Sequence, residues 1–288
     1  MAIKIYQVDA FCRELFSGNP AAVCPLPNWP VDELLQSIAA ENNLAETAYY
    51  VPHLDRFHIR WFTPTVEVDL CGHATLASAH VLFEHEGYAG KQIVFTSRSG
   101  ELVVGRGDGL LHLNFPADTI RPVDISDAMR SWFSAAPVEA YKGRSDYMLV
   151  FDDEATIAGL VPDLAAIGRA REARGVIVTA AGGGSAVGSA SAQGAASARG
   201  LGSAAGSGAG AVDFVSRFFA PQSGIAEDPV TGSAHTTLVP FWARRLGRSQ
   251  LTTIQLSSRR GFLQCRDLGE RVEISGVAKT YMEGQLFL

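Results

Sequence analysis

The chain has 288 residues, a length that fits one large domain or two of ordinary size. Hydrophobic residues make up 47% of it and charged residues 19%, a balance that excludes a wholly disordered protein. The net charge of −6, without any run of basic residues, argues against a nucleic-acid partner.

The cysteines and the N-terminal residues predict where the protein works. Cys12, Cys24, Cys71 and Cys265 are scattered and form no CxxC pair, which is typical of a reduced, cytoplasmic protein. The first residues, MAIKIYQVDAF, alternate like a strand and contain no apolar signal-peptide core. No apolar run reaches the ~18 residues of a membrane span. We therefore expect a cytoplasmic protein without a membrane-spanning segment.

The first part of the chain predicts several short strands and two helices. Alternation predicts a strand over Ile3–Val8, and the turn residues SGNP precede a buried strand, AAVC. Helical spacing predicts helices over Pro30–Glu41 and Ala74–Glu86, the second one capped by Gly87. Further strands are predicted at residues 46–51, 57–62, 93–96, 102–104 and 111–115.

The second part of the chain repeats the landmarks of the first. RWFTP, from Arg60, matches RFFAP, from Arg217. CGHAT, from Cys71, matches TGSAH, from Thr231, at an offset of 160 residues. The same offset relates the glycine that follows each helix and the strands IVFTS and TIQLS. This shared order indicates an internal duplication.

The duplication predicts an α+β fold of two pseudo-symmetric halves, each a mixed sheet around one central helix. We place the N-terminal copy at residues 1–118 and the C-terminal copy at residues 119–288. The central helices are then Ala74–Glu86 and Ala234–Leu246. We also expect the last strand of the chain to pack on the N-terminal copy.

One segment of the second copy has no counterpart in the first. Residues 181–211 contain 11 Ala, 10 Gly and 6 Ser among 31 residues. Such a composition buries too little apolar area to offset its conformational entropy. The sequence predicts a flexible insertion here, with no role in the chemistry.

Each central helix is preceded by a glycine, Gly72 or Gly232. Glycine lets a ligand approach the backbone, and the first N–H groups of a helix are free to bind an anion. If the two halves pack about a pseudo-twofold axis, both helix starts face one cleft suited to a small carboxylate. Each glycine would otherwise mark only an ordinary helix start.

The polar residues at the two helix starts differ. The first offers Cys71 and His73, and the second offers Thr231 and Ser233 with Asp228 just upstream. Taken singly, a histidine of this kind is often a core residue and an aspartate a helix cap. Glu46, in NLAETAYY, has no acidic counterpart in the second copy, where Gly175 is its approximate equivalent. Glu46 is either exposed or buried in a position to exchange protons near neutrality.

Five motifs together resemble the phenazine-biosynthesis PhzF-like isomerase family. They are VDAF with SGNPAAV, NNLAET, RWFTPTVEVDLCGHAT, RFFAP and DPVTGSAH. The resemblance covers nearly the whole chain apart from residues 181–211. It implies a diaminopimelate epimerase-like fold, with two barrel-like halves, each around a central helix, and the active site between them.

The resemblance also implies roles for individual residues. The glutamate of the family's (S/A)ET motif falls on Glu46 and would be the acid/base that shuttles a proton. His73, Asp228 and Ser233 would position the amino, hydroxyl and carboxylate groups of the substrate. The family's characterised member isomerises trans-2,3-dihydro-3-hydroxyanthranilate without metal or organic cofactor, so no cofactor is expected here. Asn19, Cys71 and Thr231 are secondary candidates.

Two alternative functions stay open. Related racemases use a cysteine at each helix start, whereas this chain has Cys71 at the first and Thr231 at the second. A racemase or epimerase acting through Cys71, or a binding protein without turnover, would use the same cleft.

A cofactor or metal site is not predicted. A zinc site of Cys71, His73 and His80 lacks a fourth ligand at suitable spacing. No phosphate-binding glycine loop is present. The substrate and the oligomeric state, including a homodimer, are left undetermined by the sequence.

Overall fold

The computed structural model of the chain describes residues 2–183 and 212–288. The predicted insertion therefore lies almost wholly outside the described residues. Its predicted first residue is wrong, because Ala181 ends a strand and pairs with Phe214. Alanine composition alone could not separate this strand end from the segment that follows it.

The first half contains eight strands and two helices. The strands are β1 Ala2–Ala10, β2 Asn19–Pro25, β3 Glu46–His53, β4 Arg56–Phe62, β5 Glu67–Val68, β6 Gln92–Ser97, β7 Gly100–Gly107 and β8 Leu110–Pro116. The helices are α1 Asp32–Asn42 and α2 Gly72–Glu84.

The second half contains a similar series followed by one long final strand. Its strands are β9 Arg121–Pro122, β10 Glu139–Lys142, β11 Tyr147–Val150, β12 Val176–Ala181, β13 Phe214–Phe219, β14 Gln250–Gln255, β15 Gly261–Asp267, β16 Arg271–Gly276 and β17 Ala278–Phe287. Its helices are α3 Asp127–Ser131, α4 Glu154–Gly159, α5 Leu164–Ile167 and α6 Gly232–Leu246.

The strand pairings repeat between the two halves. In the first half the order β1-β2-β3-β4-β6-β7-β8 is parallel at β2/β3 and β4/β6 and antiparallel elsewhere. In the second half the order β10-β11-β12-β13-β14-β15-β16 is parallel at β11/β12 and β13/β14. The fold is therefore α+β, with two pseudo-symmetric mixed sheets that the duplication predicts.

Strands that cross between the halves join them. β8 pairs with β16 in an antiparallel ladder. β9 follows the strands of the first half along the chain and pairs with β10 of the second half. β17 follows the strands of the second half and pairs with β1 of the first half. The division near residue 118 stays a prediction.

Each half surrounds one central helix. Ten of the thirteen residues of α2 and eight of the fifteen residues of α6 are buried. α2 is buried on nearly all sides and packs against β1, β2, β3, β7, β8 and β17. α6 packs on β14, β15 and β16 and leaves Arg244 and Arg245 exposed. The main hydrophobic core contains residues of both helices.

The observed helix starts differ from the predicted ones. α2 begins at Gly72 and α6 at Gly232, two residues before the apolar pattern begins. α2 ends at Glu84, so the predicted cap at Gly87 is wrong, although Gly87 has a left-handed φ of 69° in the turn that follows. Gly247, in contrast, is the residue that caps α6. Both glycines of the predicted cleft are thus the first residues of their helices.

Across residues 2–183 and 212–288, no helix combines the length and the apolar character that crossing a membrane would require.

Candidate active site

The two central helices start against each other. A Cβ atom added to Gly72 would lie 3.6 Å from the Cα of Gly232, so the backbones at the two helix starts are in contact. Neither Cys71 nor Thr231, the residues that precede the helices, caps its helix with a side-chain hydrogen bond. The first N–H groups of both helices therefore face one region between the halves.

Asn19 connects the two halves at this region. It starts β2 and follows Gly18. Position 18 requires glycine, because its φ is +72° and a Cβ atom there would lie 2.2 Å from Ala10 O. The Asn19 side chain is fully buried, and its Nδ2 donates to Asp228 Oδ1 (2.8 Å) and to Val230 O (3.0 Å). The turn sequence SGNP thus places an amide donor against the DPVTGSAH segment of the other half.

His73 lies between a carboxylate and a thiol. Its Nε2 is 3.2 Å from Glu46 Oε2, and its Nδ1 is 3.5 Å from Cys71 Sγ. Burial opposes the charged imidazole, but Cys71 and Glu46 outweigh it and hold the pKa of His73 well above its usual value. Both neighbours thus favour the protonated form of the His73 ring, and Glu46 is the carboxylate that faces it.

Glu46 is buried at the first position of β3, with 8% of its surface exposed. The alternative that it is an exposed surface residue is therefore wrong. Its Oε2 approaches His73 as an ion pair, but with angles that do not make a hydrogen bond, so this oxygen has no hydrogen-bond partner among the described residues. A buried carboxylate oxygen without a donor is available to a ligand.

Asp228 is held at the second helix start. Thr231 Oγ1 donates to Asp228 Oδ2 (2.6 Å), and Gln255 Nε2 donates to the backbone carbonyl of Asp228 (2.8 Å). Burial raises the pKa of Asp228 to about 6; the positive charge of His73 opposes this rise and Glu46 adds to it. Asp228 thus titrates close to neutrality, in the cluster that also contains His73 and Glu46.

Ser233 is positioned by residues outside this cluster. Arg174 Nη2 donates to Ser233 Oγ (3.0 Å), and the same guanidinium donates through Nε to Asp146 Oδ1 (3.0 Å). Among the predicted residues, Glu46, Cys71, His73, Asn19, Asp228 and Thr231 form one contact network. Gly72, Gly232 and Ser233 border it through the two helix starts.

Sequence reasoning missed Gln255 and Arg174. Gln255 is fully buried at the end of β14, and its Oε1 accepts the backbone N–H of Thr231. The duplication offered a signal, because Gln255 lies 160 residues after Phe95 and is therefore its equivalent. A buried amide at the position of a buried phenylalanine ring needs hydrogen-bond partners. Arg174 gave no comparable signal, since its partners Asp146 and Ser233 are distant in sequence.

Three buried polar atoms of this network have no hydrogen-bond partner among the described residues: Asn19 Oδ1, Glu46 Oε2 and His73 Nε2. Buried polar atoms are normally paired, and exceptions mark sites for water or ligand. Their concentration between the two helix starts identifies the candidate active site.

Glu46, Cys71 and His73 each offer a ligand atom within 4.8 Å of the others, a spacing that could hold a metal ion. The thiol approaches Nδ1 of the imidazole, whereas the carboxylate approaches Nε2. One ion bound to one ring nitrogen would leave the other donor on the far side of the ring. His80, the third member of the zinc site that the sequence does not predict, contacts Thr280 Oγ1 through Nε2.

Known proteins match this chain over its whole length. An uncharacterized isomerase of Pseudomonas aeruginosa is 46% identical over 100% of both chains. The crystal structure of a phenazine biosynthesis protein of the PhzF family from Enterococcus faecalis superposes with a TM-score of 0.88 at 41% identity, covering 100% of both chains.

More distant structures share the fold alone. A probable proline racemase from Agrobacterium radiobacter superposes with a TM-score of 0.59 at 11% identity, covering 99% of this chain and 93% of that one. The family described as phenazine biosynthesis-like protein, in contrast, matches residues 8–284. The chain therefore belongs to the phenazine biosynthesis-like, or PhzF, family.

Proposed function

We propose that the protein is a cofactor-independent isomerase that moves a proton on a small carboxylate substrate, with Glu46 as the acid/base. The observation that carries the proposal is the buried Glu46 carboxylate, which has an unpartnered oxygen at the junction of the two helix starts. A single group that removes a proton from one carbon and returns it to another needs this exposure to the substrate and this shielding from water.

The neighbouring groups suit the remaining tasks of such a reaction. His73 Nε2 lies 3.2 Å from Glu46 Oε2 and positions the carboxylate that removes the proton. The N–H groups at the starts of α2 and α6 offer a site for the substrate carboxylate. Asp228, held by Asn19 and Thr231, is an acceptor for an amino or hydroxyl group of the substrate.

Cys71 fits the role of a racemase base less well. Burial, with the charge of Glu46 adding to it, raises the pKa of its thiol to about 11, so little thiolate exists at neutral pH. The equivalent hydroxyl, Thr231 Oγ1, donates its hydrogen to Asp228. The two helix starts therefore lack the matched pair of bases that a two-thiol racemase uses.

A binding protein without turnover fits less well for another reason. Burying a carboxylate whose oxygen has no donor is unfavourable, and a protein that only binds a carboxylate gains nothing from a second one beside it. Turnover gives Glu46 a purpose that binding does not.

The test is solvent deuterium incorporation into a panel of small amino and hydroxy carboxylates. We expect Glu46→Gln, which cannot shuttle a proton, to lower exchange by about 10²- to 10⁴-fold. Cys71→Ala should lower it much less. Glu41→Gln, at an exposed position of α1, is the matched control and should leave it unchanged.

The opposite pattern, with exchange lost in Cys71→Ala and kept in Glu46→Gln, would support the racemase. Carboxylate binding by the unmodified protein with no exchange from any member of the panel would support the binding protein.

A further inference from the structure

The second helix start has a charged partner of its own. Ser233 occupies the position that His73 occupies in the first half, 160 residues earlier. His73 contacts the carboxylate of Glu46, whereas Ser233 accepts a hydrogen bond from the guanidinium of Arg174. The two sides of the cleft thus carry opposite charges at related positions.

Strand register identifies the counterpart of each charged residue. Tyr49 pairs with Arg60 in the first half, and Val178 pairs with Arg217 in the second. Because Arg60 and Arg217 are equivalent, so are Tyr49 and Val178. Three residues earlier in each half, Glu46 at the start of β3 is therefore the counterpart of Gly175, which directly precedes β12.

Gly175 has no room for a side chain. A Cβ atom there would lie 2.4 Å from Cζ of Phe218. The second half consequently brings a charged side chain to its helix start from the preceding residue, Arg174. The pseudo-symmetry is therefore broken. The first half has an acid, Glu46, at this position, and the second half has a base, Arg174, one residue before the counterpart of Glu46.

The Arg174 guanidinium is held in one orientation. Nε and Nη2 both donate to Asp146, whose side chain is buried, and the guanidinium carbon lies 5.2 Å from the centre of the Phe218 ring. Such a fork is already ordered before a ligand binds. Nη1, however, makes no hydrogen bond to the described part of the chain, and 41% of the side chain is exposed.

Ser233 is similarly prepared for an acceptor. Its Oγ accepts from Arg174, so its own hydrogen is free to donate. No described residue accepts that hydrogen. Two N–H groups of Arg174 Nη1, the Ser233 hydroxyl and the first N–H groups of α6 therefore all offer donors at one place.

We propose that Arg174 binds the carboxylate of the substrate beside Ser233 and thereby determines which end of the substrate faces Glu46. This proposal rests on the proposed function, because it assigns an orientation to the same substrate. A carboxylate placed on the Glu46 side would meet two acidic groups, Glu46 and Asp228, of which only Glu46 is paired with His73. On the Arg174 side it meets a cation and a helix N-terminus, which favour it.

The test compares a carboxylate with its amide. Isothermal titration of 2-aminobenzoate and 2-aminobenzamide measures the preference of the protein for the charged probe. We expect the unmodified protein to prefer the carboxylate and Arg174→Gln to reduce that preference about tenfold or more, as for a lost charge-assisted hydrogen bond. Arg174→Lys, which keeps the charge but loses the fork, should retain part of it.

Arg245→Gln is the matched control. Arg245 also pairs with a carboxylate, that of Glu139, but lies 12 residues beyond Ser233 on α6, about 18 Å along the helix axis. Its replacement should leave the preference unchanged. If Arg174→Gln does not fold with Asp146 unpaired, the double variant Asp146→Asn/Arg174→Gln removes both charges together.

An unchanged preference in folded Arg174→Gln overturns the proposal, as does an unmodified protein that binds both probes equally or neither. Glu46→Gln separates this result from the proposed function. It should lose deuterium exchange and keep the carboxylate preference, so each idea can fail without the other.

Discussion

Gly72 is a residue at which folding and binding make different demands. A Cβ atom there would meet Gly232 Cα and Phe115 Cζ at 3.6 Å, an ordinary contact distance, and its φ is not positive. The fold therefore tolerates alanine at this position. The added methyl group would, however, fill the space between the two helix starts that a bound carboxylate would use.

We expect Gly72→Ala to fold with a stability within about 1 kcal/mol of the unmodified protein and to bind 2-aminobenzoate about tenfold or more weakly, ~1.4 kcal/mol. Thermal unfolding and isothermal titration measure the two quantities. Gly232→Ala, whose nearest neighbour is Gly72 Cα at 3.6 Å, should behave in the same way. Unchanged binding in both variants would place the ligand elsewhere.

Asp228 makes the stability of the protein depend on pH. Burial raises its pKa to about 6 in the native protein, against about 3.9 in an unfolded chain. Between these values the native protein retains a proton that the unfolded chain has released, so stability falls as pH rises. His73 affects stability at higher pH, because its raised pKa adds stability that is lost as pH rises through that pKa.

Asp228→Asn should remove the fall between about pH 4 and pH 6, a difference of roughly 2–3 kcal/mol relative to the unmodified protein. Urea denaturation at pH 4, 5, 6 and 7 measures it. Asp108→Asn, in an exposed turn between β7 and β8, is the control and should follow the unmodified protein. Parallel curves for Asp228→Asn would show that another group controls this window.

At the scale of elements, α6 also fixes the segment that links the halves. Pro240, inside α6, has no N–H for the carbonyl of Thr236. That carbonyl accepts the backbone N–H of Asp118 instead (3.1 Å), and Thr237 Oγ1 donates to Asp118 Oδ2 (3.0 Å). A helix-breaking residue is thus used to anchor the chain where the first sheet ends.

The end of α6 depends on a glycine conformation. Gly247 has a φ of +68°, and no atom lies within 4 Å of the Cβ it would carry. Gly247→Ala should therefore cost only the strain of a left-handed backbone conformation at a non-glycine residue. This is about 1–2 kcal/mol of unfolding free energy, measured by urea denaturation. Gly159→Ala has the same open surroundings without a positive φ and should be neutral or slightly stabilising. Equal effects in the two variants would contradict the conformational explanation.

At the scale of the whole molecule, the two halves depend on each other through strands that cross between them. β17 follows the second strand series but pairs with β1 along its whole length. Most side chains of β17 are exposed or half-buried, so its contribution lies mainly in backbone hydrogen bonds and in covering an edge.

Truncation after Val277 should lower the unfolding free energy by several kcal/mol and promote association through the uncovered β1 edge. Urea denaturation and light scattering measure these effects. Phe287→Ser, at a side chain that is 85% exposed, is the control and should change little. A truncated protein that stays monomeric and equally stable would show that β17 is dispensable.

The sequence by itself determined the duplication, because repeated landmarks at one offset survive in the order of residues. It also located the two helix starts, since a glycine before an apolar helix lets a ligand approach the first free N–H groups of that helix. The site residues were found through motifs, and their roles stay proposals. Helix starts were placed two residues late, because apolar periodicity begins later than the helical backbone.

Only the tertiary structure decided which distant groups meet. Asn19 and Asp228 are 209 residues apart and share a hydrogen bond, and Arg174 reaches Ser233 across 59 residues. The burial of Glu46 and the fully buried Gln255 depend likewise on how the sheets curve around their helices. Contacts of this kind leave no periodic pattern in a sequence, because the packing of both halves, rather than any local preference, sets their distances.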